Sequence, residues 1–327
     1  MMKVSIIIPA FNQARYLAQA IKSAITQDYP NIEIIVSDDS SDDETDLILR
    51  SFSHKSEVKY FRNPTRIGRV ANYRKSLYEY ATGDLALMLD GDDYLIDSTY
   101  IKKAVYLIQK NDLAMSFAKQ KVFFEKEGNF IEDKMNDNLP SLMDGDRLFL
   151  DYPKGYSIPH LTTLYNRQQA MEINYYKEDI LSSDWDSVLR LMMKNKVGFV
   201  KECVGVWRKH DSNESKTQEL EKHLLNLRYI ESPYEFAITK GFYPLNVLKK
   251  WKIRMFKRHF AKIICKFPNQ SNNITHYFKT NYKREYISIT LDPRMKVILL
   301  ASKNRMIRKL LFSTLIKNSS LYRELPL

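Results

Sequence analysis

Short apolar runs alternate with longer segments of helical spacing along the first third of the chain. Val4-Ser5-Ile6-Ile7-Ile8-Pro9 is brief, β-branched and stopped by proline, so it predicts a buried strand. Asn12 to Gln27 sets Leu17, Ala20, Ile21, Ala24 and Ile25 on one stripe and predicts a helix. Ile32 to Ser37 predicts a second buried strand ending in Asp38-Asp39, and Asp42 to Phe52 a second helix capped near Ser41 or Asp42. Val58 to Phe61 and Arg69 to Ala81 repeat the pair, with Gly83 as the helix's closing signal. Leu85 to Leu89 is a fourth strand. Strand and helix in alternation predict an α/β fold with a mostly parallel sheet flanked by helices.

Further on the alternation loosens. Tyr100 to Lys110 reads as helix, Met115 to Phe124 as strand and Gly128 to Asp144 as polar loop. Ile180 to Lys194 opens with Ser182-Ser183-Asp184 and continues as an amphipathic helix; Val197 to Trp207 is extended. After about residue 216 the sequence turns basic and helical, which predicts two units, 1–215 and 216–327.

Polar residues gather where the apolar strands stop. Pro9-Ala10-Phe11-Asn12, Asp38-Asp39 and Asp90-Gly91-Asp92-Asp93 all fall at strand carboxyl ends, where open α/β sheets bind ligands. Asp90, Asp92 and Asp93 crowd three carboxylates into four residues. Such a cluster repels itself unless a cation sits within it, which points to a divalent metal and phosphate chemistry. The plainer alternative is an Asp-rich turn.

Charge changes the picture for the C-terminal part. The net charge is +12, but residues 241–327 hold 19 Lys/Arg against 3 Asp/Glu, and the other 240 hold 32 against 36. The basic excess therefore belongs to the second unit. Two cysteines, Cys203 and Cys265, supply neither a disulfide framework nor a zinc site, and a reducing compartment fits them. The apolar run after Lys3 is too short for a signal peptide, and no uninterrupted apolar stretch reaches membrane-spanning length.

Five segments together resemble family 2 glycosyltransferases of the GT-A fold. Val4 to Asn12 resembles their first strand and nucleotide loop, and Val36 to Asp42 their second strand end. Gly83 to Asp93 is similar to the segment carrying their DXD motif. Ser183-Asp184-Trp185-Asp186 with Leu189-Arg190-Leu191 resembles their Glu-Asp motif and its helix, and Trp207-Arg208-Lys209-His210 with Asn213 and Ser215 their late histidine segment. Phe11 stands where tyrosine is usual, Ser40 where glycine is, and Ser183 where the first acidic residue of the pair is.

The resemblance implies a metal-dependent, inverting transfer of a sugar from a nucleoside diphosphate, by family habit uridine diphosphate, to a hydroxyl. Asp92 is then the direct ligand of Mn²⁺ or Mg²⁺, with His210 contacting metal or diphosphate and Asp90 the ribose, or the metal through water. Asp93 orients the sugar or caps the next helix. Asp39, before Asp38, is the nucleotide contact, the other carboxylate being structural. Pro9, Ala10, Phe11, Asn12 and Gly91 line the donor pocket, and one of Arg66, Arg69 and Arg74 reaches base or phosphate, a surface arginine being the alternative for each. Asp184 is the general base, although a residue at a helix start also serves as a cap, and the helix dipole lowers its pKa unless burial offsets it.

The acceptor implied is a glycan or lipid-linked glycan of a surface polysaccharide. Asn246 to Phe267 carries Trp251, Met255, Phe256, Phe260, Ile263 and Ile264 among eight Lys/Arg, and Arg294 to Lys317 is similar. Basic amphipathic helices suit an anionic membrane, so a peripheral position at the inner face of the cell membrane is expected through 241–327; a packed bundle with a basic outer face is the alternative. No nucleic-acid module is recognisable, and an oligomer is left open. Two other function classes compete: a nucleotidyltransferase, which needs a glycine-rich or basic phosphate loop that Pro9 to Ala14 lacks, and a non-catalytic nucleotide-sugar-binding domain.

Overall fold

A computed structural model describes residues 1–302 apart from 133 and 135. The chain divides into two compact units, Met1–Phe149 with Ser157–Thr217, and Leu150–Tyr156 with the chain from Gln218 on. The small insertion at 150–156 carries no mark in the sequence pattern.

The first unit begins with the elements β1 (Val4–Ala10), α1 (Ala14–Ile25), β2 (Ile32–Asp38), α2 (Thr45–Ser51), β3 (Val58–Arg62), α3 (Arg69–Lys75) and β4 (Leu85–Met88). The strands run parallel in the order β3-β2-β1-β4. Ile6, Ile7, Ile8, Ile34, Ile35 and Val36 are wholly buried, which is why the centres of β1 and β2 read as continuous apolar runs. Then come β5 (Tyr94–Leu95), α4 (Tyr100–Asn111), β6 (Met115–Phe124), β7 (Asn129–Glu132), β8 (Leu142–Asp144), α5 (Gly145–Asp151), β9 (Thr163–Asn166), α6 (Arg167–Glu172), α7 (Ser183–Met192) and β10 (Lys196–Lys209). Antiparallel β9 joins β4 to β6, β10 lies parallel to β6, and β5 closes the order.

Several boundaries differ from expectation for local reasons. The segment 128–144 is not all loop: β7 pairs with β6 and β8 with β10. All four β7 positions are exposed, so no alternation marked it. The helix from Arg69 is α-helical only to Lys75 and continues as a π turn, Ser76–Tyr80. Ser76 Oγ donates back to the Asn72 carbonyl at 2.6 Å, where it competes with the regular ladder. Gly83 does not close that helix; a Cβ there would lie 2.7 Å from the Ser5 nitrogen, so glycine allows β4 to run beside β1.

The second unit holds α8 (Leu220–Leu225), α9 (Arg228–Thr239), α10 (Leu245–Lys266), α11 (Ser271–Asn281), α12 (Lys283–Leu291) and α13 (Pro293–Ser302). Trp251, Met255, Phe256, Phe260, Ile263 and Ile264 of α10 are all buried, with Phe256 and Phe260 edge-on to Phe278 of α11. The stripe that suggested a lipid contact is therefore the core of a helical bundle. Residues 303–317 of the second basic stretch lie outside the described residues. No described helix is long and apolar enough to cross a membrane.

Candidate functional site

The loops after β1 and β2 are tied together. Asn12 adopts a left-handed backbone (φ 53°), its amide donates to Ser41 Oγ at 2.9 Å, and its Oδ1 accepts from the Asp42 amide at 3.0 Å. Asp43, not Ser41 or Asp42, serves the start of α2: its Oδ1 accepts from the Thr45 amide and its Oδ2 from the Ala14 amide, both at 3.0 Å. Ala10 is buried, whereas Phe11 remains partly open with the Arg66 guanidinium 3.9 Å from its ring centroid.

Asp38 and Asp39 are both spent on the protein. Asp38 accepts from the Ser41 amide at 2.9 Å and from Arg62 at 3.0 Å. Asp39 accepts from Asn63 Nδ2 at 3.0 Å and from the Ile67 and Gly68 amides at 2.8 Å, which fixes the turn carrying Arg66. The expected division into one nucleotide contact and one structural residue is not visible in their partners.

The β4 end delivers Asp90, Gly91, Asp92 and Asp93. The Gly91 amide donates to the Pro9 carbonyl at 3.2 Å, and a Cβ on Gly91 would stand at that same distance from it and only 2.6 Å from Gln13 Oε1. Asp90 accepts from the Tyr73 hydroxyl and lies 3.6 Å from His160 Nδ1. Burial pushes its carboxyl up, but His160 and Tyr73 outweigh burial and hold it below its usual value. Asp92 turns the other way, with His210 Nε2 2.9 Å and Asn213 Nδ2 3.3 Å from its Oδ2. Asp93 accepts from the Arg208 amide at 2.8 Å, and burial followed by the charges of Asp92 and Asp90 pushes its pKa well up. It caps no helix: α4 starts at Tyr100, and Asp97 accepts from the Thr99 amide before it.

Asp184 sits in the first turn of α7. Desolvation pushes its carboxyl above the ordinary value, with His160 and Arg69 pulling it partly back. Burial thus outweighs the lowering by the Trp185 amide at the start of the helix. The helix is locked by Arg190, which bonds Asp186 at 2.7 Å and the carbonyls of Ile173 and Asn174. Ser183 Oγ is buried without a partner. Arg69 donates to the carbonyls of Ile180 and Leu181 at 2.8 and 3.2 Å, and Arg74 to that of Tyr175 at 2.9 Å.

The site thus gathers Asp90, Asp92, Asp93, Asp184 and His210, with Arg208 and Asn213, which the sequence named only as part of the late histidine segment, and Tyr73 and His160, which it did not single out. His160 bonds the Tyr176 hydroxyl at 2.8 Å through Nε2; its signal was one ionisable residue after Pro159 in the otherwise uncharged stretch 155–166. Asp92 and His210 suit a divalent cation, one oxygen and one imidazole nitrogen within bonding reach of a shared point. Among the described residues no three His, Cys, Asp or Glu converge on such a point. Two protein ligands leave positions for substrate phosphates, the arrangement Mg²⁺ and Mn²⁺ accept.

Comparison with known proteins gives one consistent picture. The family model for glycosyl transferase family 2 matches residues 5–172. An uncharacterized glycosyltransferase of Haemophilus influenzae is 37% identical over 130 residues, 39% of this chain and 51% of that protein. The Campylobacter jejuni GalNAc(5)-diNAcBac-PP-undecaprenol beta-1,3-glucosyltransferase is 34% identical over 135 residues, 41% and 42% of the two chains. The match thus spans about half the length of these curated relatives. The crystal structure of S. aureus TarS 1–349 with UDP-GlcNAc aligns at TM-score 0.60 and 18% identity, covering 98% of this chain and 90% of that one. A Pyrobaculum calidifontis mannosyltransferase with GDP-Man and Mn²⁺ aligns at 0.57 and 13%, covering 95% and 86%. At these identities the structural likeness is one of fold.

Proposed function

The chain belongs to glycosyl transferase family 2, and from that premise we propose that it moves a sugar from a nucleoside diphosphate, a UDP-sugar first, to a hydroxyl of a glycan or lipid-linked glycan, with inversion at the anomeric carbon. The observation that carries the reading is the approach of His210 to Asp92 at one end of a carboxylate cluster whose other end faces Asp184 through His160.

Pro9, Ala10, Phe11 and Asn12 line the base pocket, closed by Arg66 and by the turn that Asp39 holds. Asp90, oriented by Tyr73, takes the ribose, and Asp93 orients the sugar. Asp92 and His210 hold Mn²⁺ or Mg²⁺, which when bound neutralises the charge developing on the departing diphosphate. Asp184 accepts the proton of the acceptor hydroxyl as that oxygen attacks the anomeric carbon from the face opposite the diphosphate. Its raised pKa makes it a better proton acceptor than an ordinary aspartate.

For the second unit the reading is peripheral contact with an anionic membrane at its cytoplasmic face. The outer surfaces of α12 and α13 support it: Ile287, Leu291, Val297 and Leu300 are exposed there beside Lys283, Arg284, Arg294 and Lys296.

The test is a panel of nucleotide sugars with Mn²⁺ or Mg²⁺, read by release of the nucleoside diphosphate. Release from at least one donor is expected. No release and no binding of any donor would count decisively against the proposal.

A further inference from the structure

Arg69 opens α3, yet its guanidinium reaches two other segments. Its Nη2 donates to the carbonyls of Ile180 and Leu181 at 2.8 and 3.2 Å, the residues just ahead of Ser182-Ser183-Asp184. Its Nε pairs with the Glu214 carboxylate, and its plane lies 5.3 Å from the centroid of Tyr73, the ring that holds Asp90. Glu214 directly follows Asn213, whose side chain contacts Asp92 Oδ2 at 3.3 Å and whose Oδ1 accepts from the His210 amide at 2.6 Å.

We infer that Arg69 and Glu214 form a brace that fixes the loop leading into Asp184 and the arm carrying His210 in one frame, so that Arg69 acts as a positioning residue and not as a donor contact. The inference rests on the glycosyl-transfer reading of Asp184, Asp92 and His210. Its physical basis is the planar guanidinium: Nη2 donates to two carbonyls while Nε stands in ion-pair contact with the carboxylate without a hydrogen bond to it, a combination that a lysine ammonium cannot reproduce. Glu214 is 49% exposed, so the ion pair by itself adds little to fold stability and E214Q probes geometry more than folding.

The test uses the full chain with Mn²⁺ and the nucleotide sugar that it hydrolyses. R69K is expected to lower kcat on the order of 10- to 100-fold, and E214Q less, with the Kd for UDP by calorimetry changed by less than about threefold. The double variant R69K/E214Q should be no slower than R69K, because both remove one brace. Asp184 is faced by His160, Arg69, Asp90 and Tyr175. Loss of the Arg69 charge in R69Q should therefore move the acid limb of kcat to higher pH, while R69K leaves it in place. Unchanged kcat in folded R69K and E214Q, independent losses that multiply, or an R69Q limb that stays put would each overturn the brace. D184N separates the two readings: an active D184N removes the base assignment, whereas an inactive D184N beside a fully active R69K removes the brace alone.

Discussion

His210 Nε2 stands 2.9 Å from Asp92 Oδ2, although 118 positions separate them in the chain. The arm after β10 brings an imidazole to the carboxylate at the end of β4, and Asn213 holds both. If this pair binds the cation, H210A should raise the Mn²⁺ concentration for half-maximal rate by roughly 10- to 100-fold. A metal titration of initial rates measures it, and an unaltered Mn²⁺ requirement removes His210 from the metal site.

Asp184 sets the expected pH dependence. Burial raises its folded pKa and His160 and Arg69 do not cancel the rise. A base works ionised, so activity is present above that raised pKa and is lost as pH falls through it, earlier than for an ordinary carboxylate. The kcat profile should therefore show an acid limb above the usual aspartate range. D184N should lower kcat on the order of 10²- to 10⁴-fold with UDP affinity retained. Retained transfer by D184N would sink the assignment.

Asp39 makes a claim about stability. Its two oxygens accept three bonds from the Asn63–Gly68 turn in a buried position. D39N keeps the shape but turns an amide NH₂ toward backbone donors. The expected loss is about 2 kcal/mol of unfolding free energy, with a weaker affinity for UDP because the Arg66 turn loosens. Urea unfolding reads the first quantity and calorimetry the second; an unmoved unfolding midpoint shows the turn to be held by other means.

The membrane reading now rests on α12 and α13, since the aromatic stripe of α10 is internal. Leu291 and Leu300 are 70% and 69% exposed, so L291E/L300E should fold normally. It should lose most of its sedimentation with vesicles containing anionic lipid, and added salt should weaken the wild-type chain too. Equal sedimentation of the two proteins would end the proposal.

The strands that frame the site were legible because of where they lie. β1, β2 and β4 are covered on both faces, and such strands are mostly apolar on both, so the runs Ile6-Ile7-Ile8, Ile34-Ile35-Val36 and Leu85 to Met88 announced them. β7 is exposed at every position and β8 has one partly buried residue, so neither left a pattern. The π turn after Lys75 begins at Ser76, whose hydroxyl bonds back to Asn72, and a helical stripe does not reveal it. The aromatic run of α10 was legible as apolar, but only its packing against α11 distinguished core from surface.

Residue types and their order along the chain determined the α/β alternation, the carboxylates at the strand ends, the basic second unit and the family resemblance, because each is a local consequence of burial or spacing. The tertiary structure alone decided the partners. It paired Asp92 with His210 and gave Asp90 to Tyr73 and His160. It also spent Asp38 and Asp39 on loops and turned Arg69 toward the base-bearing segment. Hydrogen bonds and desolvation depend on distances between elements far apart in the chain, and a carboxylate's sequence neighbours do not fix which cation or hydroxyl it will meet.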